Sequence, residues 1–180
     1  MKNQNVIKDI TSVVISSLGL AIASQISFDI QLGESIPITG QSFAILIIGY
    51  FLSWRLALIA VLIYIICGVI GLPVFAEASS GLDKLIGKSG GYLIGFLPAV
   101  FVVSKWEYGK FNDLIITLQT LIFSTGIILL FGVLRLSMDL GLPMAIEYGL
   151  KPFWIGAIIK ILLALLVIYF YSSERKKLIL

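Results

Sequence analysis

The segment Ser80–Gly91, SGLDKLIGKSGG, comes nearest in residue types and spacing to a known chemical motif. Its Gly-Lys-Ser core at 87–89, with Gly81 upstream, resembles a phosphate-binding loop, in which backbone N–H groups and a lysine hold a nucleotide. That motif requires four residues between its glycines, whereas five residues, Leu82–Ile86, separate the glycines here. The motif also joins a buried strand to a soluble helix, and this segment lies between apolar runs. We therefore predict that the segment hydrolyses no nucleotide.

The remaining residue types exclude most catalytic chemistry. The sequence contains no histidine, which excludes imidazole catalysis and histidine-ligated metal sites. Its one cysteine, Cys67, lies within an apolar run and has no partner for a disulfide. No acidic residue lies in the middle of an apolar run, no nucleophile lies beside a base, and no inverted repeat is visible. We therefore predict neither an enzyme nor a proton-coupled transporter, and no metal site.

The composition requires a lipid environment. Of 180 residues, 59% are hydrophobic and 13% charged, which is more apolar surface than a soluble domain of this size can bury. A membrane-spanning helix needs about 20 largely apolar residues. We predict one all-α integral membrane domain over residues 1–180, with six transmembrane helices, of which the short second and fourth are tilted or partly buried. The predicted spans are Ile10–Phe28, Gln41–Ser53, Leu56–Leu72, Tyr92–Trp106, Leu114–Leu136 and Phe153–Ser172.

The distribution of lysine and arginine predicts the orientation of these spans. With both termini on the cytoplasmic side, eight of the thirteen basic residues face the cytoplasm, four face outward, and Lys160 lies within the sixth span. The net charge of +3 then reflects membrane topology and predicts no nucleic-acid partner. The eight cytoplasmic residues are Lys2, Lys8, Arg55, Lys105, Lys110, Arg175, Lys176 and Lys177. The acidic residues show the opposite distribution: most of them, including Asp29 and Glu34, are predicted to face outward.

The connection between the third and fourth predicted spans, about residues 73–91, is unusually rich in glycine. Six glycines occur between Gly71 and Phe96, and glycine permits positive φ angles and close backbone approach. The connection is also longer than the others, as binding segments often are. We predict that this 73–91 loop lies on the outer side and gates a ligand cavity. The alternative is a flexible external connection.

Three motifs in the first half of the chain carry a resemblance to a known family. They are P-I-T-x-Q at Pro37–Gln41, G-L-P-V-F-A at Gly71–Ala76 and G-x-S-G-G-Y at Gly87–Tyr92. Together they resemble BioY, the biotin-binding S component of energy-coupling factor (ECF) transporters. The similarity is strongest between Ile36 and Phe96, and the chain length and six spans match throughout.

The resemblance implies a fold, a function and partners. It implies a six-helix bundle of the ECF S-component type, multi-pass in the bacterial plasma membrane, which captures biotin from outside. It also implies transport powered by a partner transmembrane subunit and two ATPase subunits, with biotin as transported ligand and no cofactor. An S component for another small carboxylate such as lipoate, or a membrane protein that transports by itself, is the alternative.

Three positions differ from the usual pattern of the family. The last helix usually begins P-G-D-x-x-K, whereas here Gly156 and Lys160 are kept and Ala157 replaces the aspartate. Ser79 stands where some members have an asparagine, and Leu93 stands where some have an arginine. Because an aspartate is a strong acceptor for the ureido N–H groups of biotin, the exact vitamin stays open.

Four side chains are candidates for contact with the ligand. Lys160, flanked by small residues one helical turn away, is predicted to bind a carboxylate or carbonyl of the vitamin, with snorkelling or an internal ion pair as alternatives. Gln41 is predicted to hydrogen-bond at the outer mouth of the cavity, or only to begin a helix. Tyr92 offers an aromatic face and a hydroxyl, or is an interfacial anchor. Ser79 contacts the ligand or makes a turn.

The first span contains two pairs of small residues that permit close helix contact. Ser17 and Ala21 form one pair, and Gly19 and Ala23 form the other. The resemblance implies that this face docks against the partner transmembrane subunit. Packing inside the single chain is the alternative.

Overall fold

A computed structural model describes residues 2–28, 37–107 and 113–177 of the chain. Within these ranges the side chains of Lys2, Asn3, Phe28 and residues 175–177 are not described. The regular secondary structure of the described part is helical except for one short antiparallel strand pair, Ser27–Phe28 (β1) with Ile38–Thr39 (β2), and one 3-10 turn, Ala76–Ala78. The helices are α1 (Lys2–Gln25), α2 (Gln41–Phe51), α3 (Trp54–Val69), α4 (Leu82–Ile86), α5 (Gly90–Glu107), α6 (Leu114–Leu140), α7 (Leu142–Gly149) and α8 (Phe153–Lys177).

The six predicted spans correspond in sequence to α1, α2, α3, α5, α6 and α8. Three stretches of the described residues are long and apolar enough to cross a membrane, namely Gln4–Gln25, Leu114–Leu140 and Phe153–Glu174. Helices α2 and α3 are apolar but shorter. The helical class is therefore confirmed, whereas the number of spans and the cytoplasmic termini stay predictions.

Helix α6 extends four residues beyond the predicted end of the fifth span. Asp113 caps its beginning by accepting a hydrogen bond from the backbone N–H of Ile115 at 3.1 Å. Near the other end Arg135 and Asp139, one turn apart, form an ion pair at 2.9 Å, so these charged residues continue the helix. The helix ends only at Gly141, whose φ of 77° is readily adopted by glycine.

Helices α5 and α6 approach each other at backbone distance. A Cβ atom on Gly91 would lie 2.3 Å from the carbonyl oxygen of Phe131, and one on Gly95 would lie 3.0 Å from the Phe131 Cβ. No side chain larger than hydrogen fits at Gly91 unless the helices separate. Small residues allow this contact because helix association in lipid depends on close packing.

A buried carboxyl group also links α5 to α6. Glu107, the last residue of α5, is fully buried and accepts hydrogen bonds from Thr117 Oγ1 at 2.9 Å and Thr120 Oγ1 at 3.0 Å. A buried carboxyl without such donors would destabilise the fold. The two threonines therefore hold one end of α5 against α6.

The exterior of the bundle is apolar over most of its helices. On α1, for example, Ile7, Ile15 and Ile22 are largely exposed, while Leu20 is fully buried against the interior. Exposed apolar area on this scale is stable only when lipid covers it. The structure thus agrees with the lipid environment that the composition requires.

Part of the predicted topology lies outside the described residues. These are Asp29, Glu34 and the rest of residues 29–36 in the first connection, and Lys110 in the 108–112 connection. The side chains of Lys2, Arg175, Lys176 and Lys177 are likewise not described. The charge distribution that predicts the orientation therefore stays a property of the sequence.

Candidate ligand-binding cavity

One cavity of about 420 Å³ lies between the first turns of α2, α5 and α8, the middle of α6 and the 73–91 loop. This volume suits a small organic ligand. All four side chains predicted to contact the ligand line it: Gln41, Ser79, Tyr92 and Lys160. They come from three helices and one loop, so only the fold brings them together.

Aromatic side chains form much of the cavity wall. Phe75, Tyr92, Phe96 and Phe153 line it, and all four are buried. The Tyr92 and Phe153 rings stack with centroids 5.3 Å apart and planes inclined by 28°. Such a wall provides flat apolar surfaces for a ring system, in the arrangement usual for aromatic pairs.

Lys160 brings a positive charge into this wall. Its Nζ donates a hydrogen bond to Ser42 Oγ at 3.0 Å. Ala157, one turn before it on α8, also lines the cavity. Among the described residues no carboxylate lies within ion-pair distance of Lys160. The side chain is therefore directed into the cavity, and two of its three N–H donors are available to a ligand.

Gln41 is fixed in place by neighbours on two sides. Its Nε2 donates to Tyr64 Oη, and its Oε1 accepts from Thr39 Oγ1 at 2.7 Å. The side chain is buried. An amide has two N–H donors and two acceptor sites, so one of each remains for a ligand. Gln41 therefore does more than begin α2, because its amide orients Tyr64 and the β2 segment.

Tyr92 uses its hydroxyl inside the protein. Its Oη donates to the backbone carbonyl of Gly149 at 2.6 Å, and its ring lies against Gly132, where a Cβ atom would be 2.1 Å from Cε1. The side chain is buried, which excludes the interfacial-anchor alternative. The Tyr92 hydroxyl therefore uses its proton inside the protein, and contact of the ring or the hydroxyl oxygen with a ligand stays a prediction.

Ser79 ends a tight turn within the 73–91 loop. Its Oγ donates to the carbonyl of Ala76 at 2.6 Å, and its N–H donates to the same oxygen at 3.2 Å. The central residues Glu77 and Ala78 have φ angles of 59° and 52°. Positive φ at both central positions is typical of a type I′ turn. Ser79 thus makes the turn and lines the cavity with the same side chain.

The end of α1 fixes this turn to the bundle. Gln25 Nε2 donates to the carbonyl of Phe75 at 3.0 Å, and Gln25 Oε1 accepts from the backbone N–H of Ala78 at 2.9 Å. Ser24 Oγ lies 2.6 Å from the carbonyl oxygen of Val74. The sequence-based interpretation missed both residues, although a Ser-Gln pair at the end of an apolar run is a signal for capping or loop contacts.

Replacing Gln25 with alanine is expected to loosen the turn. Two hydrogen bonds, each worth about 1 kcal/mol, are lost, so hydrogen exchange of the amides between Val74 and Ser79 should accelerate about tenfold or more. Hydrogen-exchange mass spectrometry of the detergent-solubilised protein measures this. Gln119→Ala, at an exposed position of α6, is the matched control. Equal exchange in the two variants would contradict the assignment.

The four residues predicted to dock a partner do not share one surface. Ser17 is buried, and its Oγ donates to the carbonyl of Ala60 in α3 at 2.8 Å. Ala21 packs against the interior cluster, and the carbonyl oxygen of Ala23 lies 2.6 Å from where a Gly40 Cβ would be. Gly19 is exposed, with nothing within 4 Å of its Cβ position. Packing inside the chain thus accounts for Ser17, because its hydroxyl needs a partner in an apolar interior.

Ser42 and Thr125 are among the polar cavity residues that the sequence-based interpretation missed. Ser42 contacts Lys160, and Thr125 lines the cavity from the middle of α6. A threonine in an apolar helix gives little signal, because it is common in membrane helices and often bonds to its own backbone. Its position on the cavity wall could be found only from the packed structure.

The helical bundle with its apolar exterior defines a multi-pass membrane protein, and its cavity has the volume of a site for a small molecule. The fold matches the crystal structure of the S-component for biotin from an ECF-type ABC transporter with a TM-score of 0.79, covering 98% of this chain and 95% of that chain at 24% identity. The chain belongs to the BioY family, whose family model matches residues 1–177. Membership confirms the resemblance and shows that the chain is a transport protein with no expected cofactor, not an enzyme.

Relatives in two distant organisms support this assignment. The chain is 35% identical over 173 residues to the "Probable biotin transporter BioY" of Rickettsia prowazekii (strain Madrid E), covering 94% of this chain and 87% of the relative. It is 31% identical over 160 residues to the protein of the same name in Pyrococcus horikoshii, covering 89% of this chain and 93% of the relative.

Proposed function

We propose that the chain is the substrate-binding S component of a vitamin uptake transporter and that its ligand is biotin. The observation that carries the proposal is the convergence of Gln41, Ser79, Tyr92 and Lys160 on one cavity of about 420 Å³. The names of the relatives support biotin as the ligand.

The chemistry of the cavity suits the parts of biotin. The fused rings need flat apolar surfaces, which the stacked Tyr92 and Phe153 provide. The ureido group and the carboxylate need hydrogen-bond partners, which Lys160 of α8 and Gln41 of α2 provide. Lys160 binds a carbonyl or carboxylate oxygen of the ligand through a charge-assisted hydrogen bond.

Capture takes place from the outer side of a bacterial plasma membrane. In this proposal the six spans place both termini in the cytoplasm, and the 73–91 loop lies outside and closes over the ligand together with the first connection. The distribution of basic residues supports this orientation. Reorientation of the bundle against a partner transmembrane subunit, powered by two ATPase subunits, then releases biotin inward. The exposed side of α1 around Gly19 is the docking face.

A second candidate ligand is lipoate, another small carboxylate with a sulfur-containing ring. The observation that favours it is Ala157, which leaves the wall beside Lys160 without a carboxylate to accept the ureido N–H groups of biotin. Lipoate has no ureido group and needs no such acceptor. The two ligands therefore differ in the part that this wall would recognise.

Binding measurements on the purified chain in detergent distinguish these ligands. Isothermal titration calorimetry or native mass spectrometry with biotin, lipoate and octanoate is expected to give tightest binding for biotin, at least about tenfold tighter than for lipoate. Tight lipoate binding without biotin binding would keep the S-component assignment and overturn the ligand. ATP hydrolysis by the purified chain would contradict the whole proposal.

A further inference from the structure

Three side chains from two helices meet at one end of the bundle. Trp54 begins α3, Arg55 follows it, and Lys105 lies in the last turn of α5. The Arg55 Cζ lies 5.1 Å and the Lys105 Nζ 5.7 Å from the centroid of the Trp54 ring. Both distances are those of a cation–π contact. One indole thus holds two positive charges close together, and we refer to these three residues as the basic cluster.

The two charges of the basic cluster have no anionic partner within the described part of the chain. Neither Arg55 nor Lys105 has a carboxylate within ion-pair distance there. Glu107, two residues after Lys105, is fully buried and accepts hydrogen bonds from Thr117 and Thr120. Residues two apart on a helix also lie on different faces. Both cations are exposed, so an anion from outside the protein can reach them.

Each cation lies one helical turn from an exposed apolar side chain. Ile59 follows Arg55 by four residues and Phe101 precedes Lys105 by four, so each pair shares a helix face. Because α3 begins and α5 ends at this level, both steps lead toward the middle of the bundle. Ile59 is 44% and Phe101 36% exposed, and the Phe101 ring meets the Trp54 ring edge-on at 5.9 Å. The outer surface therefore changes from cationic to apolar within one turn.

This order of charged and apolar surface matches the parts of a phospholipid. Exposed tryptophans lie at the level of the headgroups in membrane proteins, and both Trp54 and its neighbour Trp106 are exposed here. Phosphate oxygens accept charge-assisted hydrogen bonds from a guanidinium and from an ammonium. An acyl chain covers the apolar surface one turn deeper, which a soluble phosphate would leave uncovered.

We infer that the basic cluster is a binding site for the headgroup phosphate of an anionic phospholipid. Arg55 and Lys105 donate to the phosphate, Trp54 holds the two donors together, and an acyl chain of the same lipid lies over Ile59 and Phe101. An anionic headgroup balances the positive charges, whereas a zwitterionic headgroup brings an ammonium of its own. No residue of the basic cluster lines the cavity of about 420 Å³, so the site is separate from that of the proposed function.

The test compares lipid retention by two double variants of the purified full chain. Native mass spectrometry in detergent with equal amounts of phosphatidylglycerol and phosphatidylcholine measures which lipid stays bound. The unsubstituted chain should retain phosphatidylglycerol about tenfold better, because each basic residue near a membrane surface strengthens binding to anionic lipid. Arg55→Gln with Lys105→Gln should lower this ratio about fivefold.

Lys8→Gln with Lys151→Gln is the matched control. It removes the same charge at two exposed positions outside the basic cluster. Its phosphatidylglycerol preference should stay within about twofold of that of the unsubstituted chain, because charges beyond about 10 Å are screened by salt. Equal ratios for the two double variants would overturn the inference.

Replacing Trp54 tests whether the indole holds the site together. Trp54→Leu keeps both charges and removes the ring, so the phosphatidylglycerol preference should fall about threefold, the size of an exposed cation–π contact. Trp106→Leu is the matched control, because Trp106 is also exposed and makes no cation–π contact within the described ranges. An unchanged ratio in Trp54→Leu would leave only separate surface charges and contradict the site.

Two competitors distinguish a lipid from other anions. Excess inorganic phosphate should not displace phosphatidylglycerol, because it cannot cover the apolar surface at Ile59 and Phe101. Displacement by phosphate would show a site for free anions and overturn the inference. Displacement by a synthetic oligoglutamate peptide would show a docking surface for an acidic protein and overturn it equally.

The melting temperature of the lipid-free protein separates lipid binding from folding. Exposed cations contribute little to stability, so both double variants should melt together with the unsubstituted chain. A lower melting temperature for Arg55→Gln with Lys105→Gln, together with an unchanged phosphatidylglycerol preference, would assign the basic cluster to folding and overturn the inference.

Discussion

Replacing Lys160 with alanine is expected to weaken biotin binding about a hundredfold, or about 3 kcal/mol, the range found when one partner of a buried charged hydrogen bond is removed. The ammonium lies in the cavity wall, bonds to Ser42 and has no carboxylate within ion-pair distance among the described residues. Its remaining N–H donors are therefore available to a ligand in the cavity. Isothermal titration calorimetry of the detergent-solubilised variant measures the loss.

Lys151→Ala is the matched control for this substitution. Lys151 is exposed and pairs with Glu147 on the short α7 segment, away from the cavity wall. Its removal should leave biotin affinity unchanged, because exposed ion pairs contribute little. Equal affinities for Lys160→Ala and the unsubstituted chain would remove Lys160 from the site.

The stability of the same variant gives an independent check. A cation in an apolar bundle costs free energy unless it is paired, so removing it should not destabilise the ligand-free protein. We expect Lys160→Ala to melt at or above the temperature of the unsubstituted chain while losing its ligand. A large fall in melting temperature would assign Lys160 a structural role through Ser42.

Replacing Gly91 with alanine is expected to destabilise the bundle by about 3 kcal/mol, at the upper end of the cost of overpacking. The new Cβ would lie 2.3 Å from the backbone oxygen of Phe131 and 2.5 Å from the Cβ of Arg135. A backbone oxygen cannot rotate away as a side chain can, so α5 and α6 must separate. Because Tyr92 follows Gly91 directly, the cavity wall moves with them.

Gly126→Ala on α6 is the matched control, since nothing lies within 4 Å of its Cβ position. Alanine in a helix interior is favoured over glycine by about 1 kcal/mol, so this variant should be as stable as the unsubstituted chain or more stable. Thermal unfolding in detergent with a thiol-reactive reporter on Cys67, half-buried in α3, compares the two. Equal melting temperatures would show that α5 and α6 can separate without cost.

The glycine contacts and the lysine in the cavity wall have different consequences. Gly91 and Gly132 set how closely α5, α6 and the Tyr92 ring pack, so changes there should alter folding and binding together. Lys160 lines a space that these contacts leave open, so changes there should alter binding alone. Measuring both melting temperature and biotin affinity for the two kinds of variant therefore distinguishes residues that support the fold from residues that bind the ligand.

The sequence by itself determined the helical membrane class, the approximate position of the six apolar helices and the family. Apolar runs near the length of a span leave few alternatives to a helix in lipid, because backbone N–H and carbonyl groups must be satisfied within the segment. It also indicated Lys160 as a candidate ligand-binding residue. A lysine among small residues deep in an apolar helix costs free energy, and such residues in membrane helices are typical of functional sites.

Only the tertiary structure decided what each polar group contacts. The hydroxyl of Tyr92 is engaged by Gly149, Ser17 bonds to α3, and Gln25 holds the turn at Ala78. These contacts join residues far apart in the chain, and their geometry depends on helix rotation and depth that no local pattern specifies. The hydroxyl of Thr125, which has no partner among the described residues, is visible for the same reason: a missing hydrogen bond exists only relative to neighbours that packing brings together.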